Sequence, residues 1–97
     1  MPTYISLVTW TDAGRKSIRD TVHRAEVAAN VAEKLGAHFK DLYWVNGPYD
    51  ICLTLEAPDD QTATAVAYAI EEAGNVRTTT MRAYDRSETQ TILDRLP

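Results

Sequence analysis

Apolar and polar positions alternate along Thr3 to Trp10, with Tyr4, Ser6, Val8 and Trp10 set against Thr3, Ile5, Leu7 and Thr9, and the β-branched and aromatic content suits a first strand. From Lys16 to Leu35 the spacing changes to three and four. Ile18, Val22, Ala25, Ala29 and Ala32, with Val31 and Leu35 alongside, predict a helix with one buried face. Arg15, Lys16, Arg19, His23, Glu26 and Asn30 fall mostly on the other side. Thr11 and Asp12 offer caps, Gly14 is a weak early breaker, Asp20 or Thr21 can cap a second segment after a break, and Gly36 is the expected stop. Alternation returns over 38–46 and 49–56. Asp60 to Ala73 then carries a helical stripe of Ala63, Val66, Ala67 and Ile70, and Val76 to Tyr84 reads as a last strand. Ser87 and Gln90 have capping-box spacing ahead of a short helix striped by Thr89, Ile92, Leu93 and Leu96.

The turn at Val45-Asn46-Gly47-Pro48-Tyr49-Asp50 sets the sheet register. With Gly47 and Pro48 at the centre of a type II′ turn, Asn46 pairs with Tyr49. Leu42, Trp44, Ile51, Leu53 and Leu55 then share one face, and Phe39, Asp41, Tyr43, Val45, Asp50, Cys52, Thr54 and Glu56 share the other. The order β-α-β-β-α-β plus a short C-terminal helix is an α+β, ferredoxin-like arrangement. Right-handed crossovers place both main helices on one face of a four-stranded antiparallel sheet, and residues 1–97 form a single domain. Ile5 and Leu7 are expected beneath the helices with the Leu42 set, leaving Tyr4, Ser6, Val8 and Trp10 uncovered beside Phe39, Tyr43, Val45 and Cys52. Burying ~400 Å² of such a face at ~25 cal/mol/Å² is worth about 10 kcal/mol before association costs, so a second copy is expected to cover it, sheet against sheet.

Composition narrows the function classes. Ten basic against 14 acidic residues give a net charge of −4, which disfavours a binder of nucleic-acid backbone. No apolar run approaches the roughly 20 residues of a membrane span, and the N-terminus has no signal-peptide pattern, so a cytoplasmic protein is expected. The lone Cys52 cannot form an intramolecular disulfide. No His, Cys or carboxylate spacing suggests a metal site, and the glycines are too scattered for a phosphate loop, so neither metal nor cofactor is expected.

Gly47-Pro48-Tyr49-Asp50 resembles the Gly-x-Tyr-Asp signature of the small GYD-domain proteins. The resemblance extends to Met1-Pro2-Thr3-Tyr4-Ile5, Thr11-Asp12-x-Gly14, Glu56-Ala57-Pro58-Asp59-Asp60, Gly74-Asn75-Val76-Arg77-Thr78 and Ile92-Leu93, nearly the whole chain. It implies a ferredoxin-like subunit pairing into a dimeric α/β barrel. It implies no reaction, because fold does not determine chemistry.

Several residues are candidates for a site between paired sheets. Asp50 can act as a base or an anchor, or can simply hold the turn together with Tyr49. Tyr43 is expected opposite Cys52 and near Asp50, and Cys52 reads most simply as a small buried residue. Of Arg77 and Arg82, which differ in parity, Arg82 is expected on the uncovered side, where it can hold an anion or pair with Asp50. Trp10, Tyr43, Tyr49, Asp50 and Arg82 are thus the expected ligand contacts, with Asp50 and Tyr43 the catalytic candidates. His23 reads as solvated and His38 as a strand-edge residue. Three functions fit: a homo-oligomeric small-molecule-binding protein; a cofactor-free isomerase, dehydratase or oxygenase acting on an aromatic or lactone-like substrate; and a structural or regulatory subunit of a larger ring.

Overall fold

The computed structural model describes Met1–Pro97. Its elements are β1 (Thr3–Trp10), α1 (Asp12–Lys16), α2 (Thr21–Lys34), β2 (His38–Trp44), β3 (Ile51–Glu56), α3 (Asp60–Glu72), β4 (Val76–Ala83) and α4 (Arg86–Leu93), with a 3-10 turn over Ile18–Asp20. The strands form one antiparallel sheet in the order β2-β3-β1-β4, the ferredoxin-like topology, with the helices packed on it.

The helix-covered core contains Tyr4, Val8, Ile51, Leu53, Leu55, Ala63 and Val66. This reverses the phase expected for β1. Tyr4, Ser6 and Val8 pair with Leu55, Leu53 and Ile51 and lie beneath the helices, while Ile5 and Leu7 lie on the bare side. Alternation separates the two sets of a strand, but only its pairing with neighbours decides which set faces in. Beneath the helices every polar tip of β1 finds a partner: Tyr4 Oη donates to Asp60 Oδ1 at 2.5 Å, Ser6 Oγ lies 3.1 Å from Thr80 Oγ1, and Trp10 Nε1 donates to Thr21 Oγ1 at 3.3 Å.

The hairpin register holds from Asp41↔Thr54 to Trp44↔Ile51 and then shifts between Phe39 and Asp41. The bulge pairs Phe39 with Leu55, which turns Phe39 to the helix side instead of the expected bare side. The expected type II′ turn does not form. Residues 45–50 make a wider loop in which Val45 N–H still donates to the Asp50 carbonyl at 2.9 Å. Gly47 has φ +138, a backbone conformation that residues with a side chain rarely adopt. Asp50 is drawn instead toward β1, its N–H donating to the Val8 carbonyl at 2.9 Å.

The long first helix is broken at the 3-10 turn, and α2 begins at Thr21, as Asp20 and Thr21 allow. Ile18 falls in the break, and Val22 in the first turn of α2. Ile18 and Val22 are exposed at 42% and 55%, whereas Thr21, Ala25, Ala28 and Val31 face the sheet. On α3 the predicted stripe of Ala63, Val66, Ala67 and Ile70 faces inward, with Asp59 as the N-cap. The final capping box is Asp85 with Glu88, two residues before the expected Ser87–Gln90 pair. No helix is long and apolar enough to cross a membrane.

Candidate functional site

Between the helices and the sheet lies a cavity of about 190 Å³. Its cause is small residues. Ala25 and Ala28 of α2 and Ala63 and Ala67 of α3 approach the sheet without filling the space above it, and Val8, Leu53 and Ile70 complete apolar walls. An apolar cavity of about 150 Å³ is enough for a benzene ring. The polar wall groups are few: Ser6, Thr78 and Thr80 on the sheet, Thr21 and Arg24 on α2, and Asn75. Ser6 and Thr80 bond to each other at 3.1 Å; because each hydroxyl has one hydrogen, this bond leaves one donor over. Thr78 Oγ1 donates to Glu71 Oε1 at 3.3 Å.

Thr21, Arg24 and Asn75 of the cavity wall belong also to a junction that gathers distant parts of the chain. Asp50 Oδ2 accepts the Trp10 N–H at 2.9 Å and lies 3.7 Å from Arg15 Nη2. Trp10 Nε1 and Trp44 Nε1 both donate to Thr21 Oγ1, at 3.3 and 3.1 Å. Thr11 N–H donates to the Asn75 carbonyl at 3.0 Å and Thr11 Oγ1 to the Gly74 carbonyl at 2.6 Å. Gly14 is buried against the same loop, so close that a Cβ would stand 2.1 Å from the Asn75 carbonyl oxygen. Arg24 binds the loop after α1, donating to the Ser17 carbonyl, Ser17 Oγ and the Gly14 carbonyl at 2.7, 2.8 and 3.2 Å.

Of the five expected ligand contacts, Trp10 and Asp50 meet, but Tyr43 and Arg82 lie elsewhere. Trp10 and Asp50 belong to the junction. Tyr49 is half-buried in the adjoining loop. Tyr43 lies on the bare sheet face, 63% exposed and paired with Cys52, as expected for those two. Arg82 corrects its expected position: it pairs with Tyr4 and so lies on the helix side, at the far end of the sheet from Asp50. There its guanidinium sits 4.5 Å from the Tyr84 ring centroid and 5.8 Å from that of Tyr4. It also donates to the Thr3 and Ala83 carbonyls and bonds Glu88 Oε2 at 2.9 Å. Burial, and then the bond to Asp60, push the Tyr4 hydroxyl up to about 12.

His38 is a strand-edge residue bonded to Glu33 at 2.6 Å, and His23 is exposed. The wall residues Ser6, Thr21, Arg24 and Thr80 escape motif reasoning because they follow no recognised spacing. The signal for the space they line is the recurrence of alanine on the inner faces of both helices.

Fold and site together define a two-layer, ferredoxin-like α+β protein with an under-filled core between its helices and its sheet. The chain belongs to the GYD-domain family, whose family model matches residues 4–93. A search of the curated proteins finds no match. Three stretches that carry the resemblance, Thr11 to Gly14, Tyr49-Asp50 and Gly74-Asn75, come together at the junction beside the cavity.

Proposed function

We propose that the protein binds a small, largely apolar molecule in the cavity between α2, α3 and the sheet, and that two copies pair through the bare sheet face. The observation that carries the first part is the cavity itself: one-ring-sized, apolar in most of its wall, with a few placed polar groups, the usual make-up of a small-molecule site. The site is thus placed on the other side of the sheet from that expected between paired sheets. Trp10 and Asp50 act in this reading by holding Thr21 and the end of β1, not by touching the ligand. The reading requires no reaction. Asp50 already serves the Trp10 amide and lies near Arg15, and Arg82 stands at the other end of the sheet from it.

Support for pairing comes from the bare face. Ile5, Leu7, Tyr43, Cys52 and Met81 form its middle, with Met81 43% exposed. Four strands about 4.8 Å apart and about 25 Å long present roughly 500 Å² in projection. Side-chain relief brings the accessible area near the ~800 Å² per partner of a standard interface.

The cavity reading is tested by titrating toluene into the full chain and into Ala67→Leu, which fills the space. Toluene should raise the melting temperature of the native protein through binding linkage and leave the filled variant unmoved. Equal responses, or none in either protein, would remove the cavity as the binding site.

A further inference from the structure

Arg24 is the only residue in the cavity wall that carries a formal charge. Its guanidinium is held firmly but not neutralised. The three groups that accept from it, two carbonyls and a hydroxyl, are uncharged, and none of the protein's ion pairs involves it. Arginine has five N–H donors in a rigid plane, and at most three are used here: Nη1 donates to the two oxygens of Ser17 and Nη2 to the Gly14 carbonyl. The Nε–H and the second Nη2 hydrogen remain. The Nε–H side of the plane is one of the edges a carboxylate takes with two parallel bonds.

We propose that the ligand of this cavity is a monocarboxylate with a compact hydrocarbon body of about one ring's size, its carboxylate on the free edge of Arg24 and its body among the alanines. This rests on the cavity being the binding site. Charge selects the class. One arginine with no acidic neighbour in the wall balances one negative charge, whereas a phosphate monoester brings nearly two and would leave the second against mostly apolar walls. The hold that Ser17 and Gly14 keep on the guanidinium fixes the fork before the ligand arrives, so little side-chain freedom is lost on binding. The net charge of −4 works against general anion capture, so a carboxylate preference must come from this one local group.

The test uses three probes of nearly equal size on the full chain, by calorimetric titration: benzoate, its neutral isostere benzamide, and toluene. Benzoate should bind about tenfold or more tighter than benzamide, the fold-change of a charge-assisted pair. Arg24→Gln should bring benzoate and benzamide to within about twofold of each other, and toluene binding by the variant shows that it still folds around its cavity. The native-protein comparison needs no variant, so the proposal stays testable if Arg24→Gln fails to fold. Equal affinity for benzoate and benzamide in the native protein overturns the carboxylate assignment but leaves the cavity reading standing if toluene binds. Undiminished benzoate preference in Arg24→Gln also overturns it. Failure of all three probes removes the cavity reading along with this one.

Discussion

Tyr4 shows how much one side chain can decide. It is 3% exposed, and its single polar atom donates to Asp60, the first residue of α3, so β1 and the start of that helix are fixed together. Tyr4→Phe keeps the ring and removes the bond, and should cost about 1 kcal/mol in urea unfolding at neutral pH. The pH dependence has a definite sign. The folded value of about 12 lies above the ordinary 10.0, so the contribution is complete below pH 10 and is lost as pH rises through 12; the stability gap between the native chain and Tyr4→Phe should close over that window. Asp50 makes the second single-residue case. Its carboxylate accepts the Trp10 amide with 15% of the side chain exposed, so Asp50→Ala should destabilise by about 2 kcal/mol. Asp50→Asn, which keeps an acceptor oxygen, should lose less in the same measurement. The sequence marks Asp50 through its signature, but the donor it serves lies forty positions away and only the folded register reveals it.

The main strands and helices were legible from period, propensity and stop signals, and their order gave the topology. Phase was not legible. Both sets of β1 contain apolar residues, and Ser6 in the inner set misleads any reading that ranks faces by hydrophobicity; its place is set by Thr80 across the sheet. Phe39 changed sides because a bulge consumes one residue without altering composition. Ile18 left the stripe of α2 because it falls in the 3-10 turn, and Val22, in the first turn of the helix, is exposed. Alanine spacing, in contrast, located the inner faces of α2 and α3 well, yet it could not tell a filled core from a hollow one. Two predictions belong at this scale. Gly14→Ala would press a methyl group onto the Asn75 carbonyl and should cost about 3 kcal/mol, read from the denaturant midpoint, because backbone must move to make room. The terminal helix α4 is held by Glu88, whose carboxyl is kept below its ordinary 4.5, first by the Arg82 bond and then by the Asp85 amide. That hold is present above pH 4.5 and weakens as pH falls through the lowered value. Amide exchange in α4 should therefore accelerate in acid before exchange in β1 does.

The whole molecule is two layers deep, with one side of its sheet under helices and the other bare. The sheet that floors the cavity has on its reverse the bare face proposed for pairing, so neighbouring residues of β1 belong to different surfaces: Ser6 lines the cavity and Leu7 faces away. Leu7→Lys should therefore shift sedimentation toward single chains while leaving toluene affinity intact, and Ala67→Leu should do the reverse. Cys52 stands next to Leu7 and Tyr43 and is the sole thiol of the chain. The protein thus carries its own chemical clock for that side: the speed with which a disulfide reagent consumes the thiol measures how long the surface stays uncovered, and slowing as protein concentration rises would time the encounter of two copies with no label added.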